Sequence, residues 1–580
     1  MKKFENLIYS ILDSKTKKFM VILLTALAFF GTLLMFPTKL VLAKMLPGKS
    51  DNTYSIYIDT PTGSSMSETK KVSDCVVNIL RSEKEIQHIE LFYGQGIPLD
   101  YAGLVKGSGM KQSENVAEIS VNLSDKHHRE EPSYLMTQRL RPKVQSTCSN
   151  VVKGSNIKFI EQPAGPPTMA SIVVEVQGDN KEEIRKLSLD VASILSKTKG
   201  LVDVDVMSDD SYEKYELVLD KQKVAESALD IKQINDLLYL SFEGMAIANK
   251  NAKKVGGEIP IFLVLSKDTK VLEDNSKEAL EAKLMSLNLM NMAGMMVPLS
   301  EVVEIKKVKP SGMIMHKDLT RMINVIAETD MVSQVYPLLE ARDVMMEHFA
   351  KKGYTVEKEA GMSTYMFDLH LTNKQTGEKY LLRWDGEMKV TLDTFRDLGG
   401  AFIAALIMIF LLLVIYYKSF ILSGIVLLGS FLSLIGVILG HFIADLVTKD
   451  TFFLTATSLI GFIALMGISS RNSLLLIDFA KGLINCQNIP KKRAIAIASA
   501  TRAKPIALTA IAIILGSALL ASDPVFGGLG VALISGTVAA VFVSLLFVPI
   551  LMDNAKAMDK DEDNETCNIE ESHQNISITK

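Results

Sequence analysis

Arg471 is the residue whose placement asks for the most chemistry. It stands in Gly461–Lys481 (GFIALMGISSRNSLLLIDFAK), and the chain before it carries no charge from Thr451 to Ser470. Read as one helix from about Phe452 to Ala480, this stretch is ~43 Å long at 1.5 Å per residue, enough to cross a bilayer. Arg471 then falls ~7 Å to the cytoplasmic side of the midpoint. An arginine near the centre costs about 2.5–3.5 kcal/mol even on insertion scales. Two readings are open. Either the guanidinium snorkels to the interface, or it faces other helices in a proton or ion pathway. Asn472 follows directly, and Asp478, two turns on, shares nearly the same helix face.

Thr501-Arg502-Ala503-Lys504-Pro505 leads into the next apolar run. Pro505 is expected in its first turn, where a missing N–H is tolerated. Thr509 follows just over a turn later. Antiparallel spans would put Arg471 and Thr509 within ~10 Å of each other in depth, so the arginine could join a shared hydrogen-bond network. Alternatively, Thr509 bonds its own helix backbone. Nothing reads as an enzyme: there is no Walker A loop, HExxH or GxSxG. His127-His128 lies in a polar loop and reads as solvated rather than metal-binding. With no nucleotide site and no cofactor motif, transport would draw on an ion gradient.

The elements that hold these residues are mostly apolar. The chain has 580 residues, room for several domains. Its net charge of −3 gives nucleic-acid binding no support. Hydrophobic residues make up 48%, and they concentrate in long runs, the mark of an integral membrane protein. The runs are roughly residues 20–43, 398–417, 420–446, 452–480, 505–522 and 526–552. The first is too long, and starts too late, for a signal peptide. Lys491, Lys492, Arg493, Arg502 and Lys504 mark the 481–504 loop as cytoplasmic, along with residues 1–19. The large middle part is then outside, and the acidic tail, 553–580, reads as disordered cytoplasmic chain. Glycines at 424, 429, 436 and 440, and at 527, 528, 530 and 536, suit close helix contacts.

Residues 44–397 alternate short strands and amphipathic helices. Strands are expected at 54–60, 117–123, 157–161, 171–177, 201–207 and 354–359. Helices are expected from Ser65, with a capping box to Glu68, and over 133–146, 181–197 and 334–351. Such repeats predict α+β subdomains with antiparallel sheets. Residues 208–308 break the pattern as an insertion. Cys75 and Cys148 could form a disulfide if this part is periplasmic. A methionine cluster, Met285–Met296, could bind soft metals or serve as adaptable core filler.

Gly467-Ile468-Ser469-Ser470-Arg471-Asn472-Ser473-Leu474-Leu475-Leu476-Ile477-Asp478-Phe479 resembles the tenth-helix signature of resistance-nodulation-division (RND) efflux permeases. Lys44-Met45-Leu46-Pro47, the proline-rich 163–167, Val297-Pro298-Leu299-Ser300, Trp384-Asp385-Gly386-Glu387, Thr394–Asp397, Thr455–Ser458 and Arg502–Pro505 continue the likeness in order. It covers about residues 1–555 and follows the C-terminal half of such permeases. The resemblance implies six transmembrane helices, one plus five, around a large periplasmic portion of ferredoxin-like βαβ subdomains. The 208–308 insertion would correspond to a docking subdomain. It also implies proton-driven export of drugs or other amphiphiles from the bacterial inner membrane. Arg471 would pair with aspartates on a fourth helix, and Arg502 and Thr509 would join Asn472 and Asp478 in the proton relay.

That fourth helix belongs to the N-terminal half, and this chain carries no matching acidic pair at mid-depth. Hence the expected partner is an N-terminal-half RND subunit. Trimeric assembly, a periplasmic adaptor and an outer-membrane channel are further implications of the family. A metal-exporting half-subunit, a homo-oligomer pairing Arg471 with a neighbour's Asp478, and a non-transporting accessory or remnant subunit remain open as alternatives.

Overall fold

The computed structural model describes residues 2–559 apart from 47, 49, 99–100, 109–110, 163–164, 166–167, 209–211, 252–257, 267–268, 270–271, 273–275, 311, 331–332, 360–365 and 449–451. Most of the proline-rich 163–167 motif, Pro47, Cys567 and nearly all of the expected tail lie outside these residues. The chain divides into two compact units: residues 209–314, and the remainder.

The N-terminus is helical before the first span begins. α1 (Lys2–Asp13) is amphipathic and buries Ile8 and Leu12. Ser14 separates it from α2 (Lys15–Leu33) and caps α2 by accepting the Lys17 N–H at 3.4 Å. The apolar run continues to Ala43, but the helix stops at Leu33. Pro37 disfavours helical conformation in the residue before it, and Lys39 takes a φ of 59°.

Four strands follow: β1 (Thr53–Asp59), β2 (Ile86–Gln95), β3 (Gln112–Leu123) and β4 (Asn156–Glu161). They form an antiparallel sheet ordered β2-β3-β1-β4. Helices α3 (Met66–Leu80) and α5 (Ser133–Cys148) pack on it, and a short α4 (Tyr101–Lys106) precedes β3. The expected capping box forms at Ser65 and Glu68. Alternation along β1 sends Ile56 and Ile58 into a core with Val72, Val76, Ile119, Leu140 and Val144. Cys75 and Cys148 are bonded and join α3 to α5, with Cα atoms 5.7 Å apart.

A second sheet starts with β5 (Ile172–Gln177), α6 (Lys181–Lys197) and β6 (Leu201–Met207). The chain then builds the second unit. There β7 (Lys214–Leu219) pairs with β12 (Val303–Val308), β8 (Met245–Asn251) with β9 (Glu258–Leu263), and β10 (Asn288–Met290) with β11 (Met296–Pro298). Val224, Ile234, Leu284, Val297, Leu299 and Val302 are buried in its core. Back in the first unit, β13 (Met315–Lys317), β14 (Thr320–Thr329), β15 (Tyr354–Lys358), β16 (Leu369–Asn373) and β17 (Lys379–Asp385) complete a sheet ordered β13-β14-β5-β17-β16-β15, with β6 on β14. Its core gathers Val174, Val176, Leu187, Val191, Val325, Phe349, Leu371 and Trp384.

Among the described residues, six helices are long and apolar enough to cross a membrane: α2, α7 (Glu387–Tyr417), α8 (Phe420–Val447), α9 (Ala456–Asn485), α10 (Lys491–Ala521) and α11 (Gly527–Asn554). One precedes the sheets and five follow them. Glycines set their spacing. A Cβ on Gly436 would lie 2.5 Å from Ala539 Cβ, and one on Gly461 3.1 Å from Leu529 O, so these backbones nearly touch. The last span holds a π-helical turn, Val543–Phe547, followed by buried Val548, Ile550 and Met552.

Candidate functional site

The helix that carries Arg471, α9, is fixed at its start by a capping box between Thr455 and Ser458. It begins and ends later than the apolar pattern suggests. Arg471 is therefore the sixteenth of its thirty residues and sits at mid-helix. Ile460, Ala464, Gly467, Arg471 and Leu475 are exposed, and half-buried Asp478 extends the same line. Steps of three and four residues make this one stripe. Asn472 lies ~100° round the helix from Arg471 and is buried, as are Ser469, Ser470 and Ser473. Ser470 Oγ lies 3.0 Å from Ser430 Oγ, and Ser473 Oγ 3.4 Å from Ser544 Oγ. The inner face is thus hydroxyl-rich and occupied, while the outer face presents a lone cation. Among the described residues Arg471 has no ion pair.

Asp478 accepts a hydrogen bond from the Tyr416 hydroxyl at 3.1 Å, and Tyr417 donates to Leu474 O at 3.2 Å. The Arg502 guanidinium stacks 4.8 Å above the Phe479 ring. The structure therefore brings Arg502 and Asp478 to one level, ~10 Å further along the axis of α9 than Arg471. Pro505 corrects the sequence reading. Helix α10 is continuous through it, so the proline is interior and not in the first turn. The segment before it is rich in alanine, a strong helix former, and Ala494, Ile495, Ala496 and Ala498 are buried beside α1. This packing extends the helix into what the charges had suggested was loop. Thr509 is exposed and donates to Ile506 O at 2.9 Å, within its own helix.

His441 was not singled out in the sequence. It is fully buried, with Nδ1 2.8 Å from Val437 O and Nε2 2.8 Å from Ser458 Oγ. A carbonyl can only accept, so Nδ1 carries the hydrogen and Nε2 receives the serine hydroxyl. The available signal was a histidine inside an otherwise apolar run. His127 and His128 are both exposed, as a solvated pair would be.

A second constellation joins the two sheets of the first unit. Lys158 on β4 lies 2.6 Å from Asp59 on β1 and also pairs with Asp205 on β6. Lys111 reaches Asp59 at 2.9 Å. Arg141 on α5 holds Asp203 at 3.0 Å and Asp330 at 2.9 Å, and Lys106 holds Glu328 at 2.6 Å. Asp203 also accepts from Gln145 at 2.8 Å and from the Phe159 N–H at 3.3 Å. Its φ of 52° is left-handed, a conformation that Asp tolerates better than most residues. Burial pushes the Asp59 carboxyl up, but Lys158 and Lys111 outweigh it and hold it at about 2. For Asp203, burial prevails over Arg141 and raises the carboxyl. These pairings were not legible in sequence, because each joins residues from different strands or helices.

Comparison with known proteins adds to this geometry. The model of the AcrB/AcrD/AcrF family matches residues 1–359 and 355–553. Swarming motility protein SwrC of Bacillus subtilis (strain 168) is 22% identical over 544 residues, 92% of this chain and 46% of that protein. Multidrug resistance protein MdtC of Yersinia pestis bv. Antiqua (strain Angola) is 22% identical over 443 residues, 75% of this chain and 39% of that protein. The crystal structure of a heavy metal efflux pump (crystal form II) shares the fold, with a TM-score of 0.70 at 16% identity over 96% of this chain and 51% of that one. The chain spans half, or somewhat less, of the length of these proteins. With the six apolar helices and the large α+β portion, the match over nearly the whole sequence shows that the chain belongs to the AcrB/AcrD/AcrF family of RND efflux permeases.

Proposed function

We propose that this chain forms one half of a proton-driven RND unit that exports drugs or other amphiphiles. A second helical bundle, on the same polypeptide or another, would supply the carboxylates that Arg471 lacks. The observation that carries this reading is the exposed Ile460–Ala464–Gly467–Arg471–Leu475 stripe, with a cation at mid-helix that has no ion pair among the described residues, the nearest carboxylate on its own helix, Asp478, being two turns away. An uncompensated charge at that depth is expensive, and an opposing carboxylate would relieve it. Protonation of that carboxylate would release Arg471 and shift the packing of the bundles. Arg502, Asp478, Asn472 and Thr509 would serve the same relay.

The β2-β3-β1-β4 order, with helices after β1 and β3, supports reading the first sheet as a ferredoxin-like subdomain. The Cys75–Cys148 bond suits an oxidising compartment, which favours a periplasmic place for the sheets and a one-plus-five topology. Oligomerisation and contacts with adaptor and outer-membrane proteins would follow the family pattern. The test is reconstitution into liposomes under an imposed proton gradient. Efflux of an amphiphilic dye is expected only when a facing bundle with acidic residues is present. Active efflux by this chain alone would falsify the reading.

A further inference from the structure

The β10–β11 hairpin in the second unit departs from ordinary patterning. Its inner face is regular: Leu289 pairs with Val297, which is buried in the core. By alternation the outer face should be polar. Instead Met290 and Met296 are register partners there, 64% and 62% exposed. Met292 and Met295 in the connecting turn are 89% and 62% exposed. The turn is well fixed. Asn291 Oδ1 accepts from the N–H groups of Ala293 at 3.0 Å and Met295 at 2.9 Å, and the Asn291 N–H donates to Met295 O at 2.9 Å. Gly294 supplies the left-handed step, with φ +81°.

Filling a core is the usual use of methionine, and exposure on this scale removes that explanation. Directly paired residues on one face have Cβ atoms about 4.5–5.5 Å apart, within reach of two thioethers converging on one ion. Thioethers are neutral, soft donors that select Cu(I)-like ions over Zn(II), Ca(II) or Mg(II). Among the described residues no group of three or more His, Cys, Asp or Glu could hold a metal instead. We propose that Met290, Met292, Met295 and Met296 form a binding site for a soft monovalent cation, Cu(I) or Ag(I). The site needs no assumption about what the membrane helices export.

The test uses the full chain, purified without oxygen, and titrated with Ag(I), and with Cu(I) held by a competing chelator. Bound metal is counted by mass spectrometry. The comparison protein carries Met290→Leu, Met292→Leu, Met295→Leu and Met296→Leu, which keep the size and apolarity of the face. Wild type should retain an ion that this variant loses, with binding weakened by about tenfold or more, and neither should retain Zn(II) there. Met292→Leu alone, with the melting temperature unchanged, should weaken binding in part, which guards against misfolding of the combined variant. Equal retention by wild type and the leucine variant, or none by either, overturns the site. So does finding that both proteins self-associate through this face and that only methionine-to-glutamine changes prevent it. That result would make the face a protein-docking surface.

Discussion

An arginine that faces outward at mid-helix places a demand on a neighbour, and substitution can reveal it. Arg471→Ala should abolish export while leaving assembly intact, and Arg471→Lys should keep measurable activity because it keeps the charge. Loss of assembly in Arg471→Ala, read by size-exclusion chromatography, would point to an anchoring role instead. In the sheets, Arg141→Met leaves Asp203 buried without its cation and should cost about 3–5 kcal/mol in denaturation. Asp59 titrates at about 2 in the folded chain, below its ordinary 3.8, so its stabilising effect is complete above pH 3.8 and is lost as pH falls toward 2. The loss amounts to about 2 kcal/mol. Asp59→Asn should flatten that acid limb of the stability profile, and an unchanged limb would remove Asp59 as its source.

At the scale of helices, two glycines separate folding from partnering. A Cβ on Gly436 meets Ser535 and Ala539, so Gly436→Leu should lower the melting temperature of the chain itself. A Cβ on Gly467 meets nothing within 4 Å, and this residue lies on the Arg471 stripe. Gly467→Leu should leave the melt unchanged and abolish both export and co-purification of a facing bundle. Normal export by Gly467→Leu would place that bundle elsewhere. Strong periodicity made many elements legible: α6 matches its expected 181–197 and β6 its expected 201–207. The strands β2, β14, β16 and β17 went unread, although the short turns Asp318-Leu319 and 374–378 join β13 to β14 and β16 to β17; neither turn carries the Asn-Gly or Asp-Gly pair that marks a hairpin most plainly. Of the candidate site, the charged residues could be named from sequence. Which side of the helix each would face could not, because an apolar run gives no contrast between lipid, partner and core.

For the molecule as a whole, the Cys75–Cys148 bond closes 73 residues around the first sheet. Reduction, or Cys75→Ser with Cys148→Ser, should destabilise that sheet by about 4 kcal/mol on chain-entropy grounds. Calorimetry of the full chain with and without reductant would check this. An unshifted transition would mean that the ion pairs and core already hold the sheet. The two sheets of the first unit are also joined by Lys158, Arg141 and Lys106, so any path that opened between them would first have to exchange those pairings for water. The π-helical turn at Val543–Phe547 has a different bearing, on which changes of length the chain can accept. Such a turn stores one surplus residue in the spiral. Deleting one residue inside it would restore a plain α-helix and leave Val548, Ile550 and Met552 facing the core. The same deletion earlier in the span would turn them by ~100° toward lipid. The last helix therefore carries its own slack, and a gap in its length is tolerable only there.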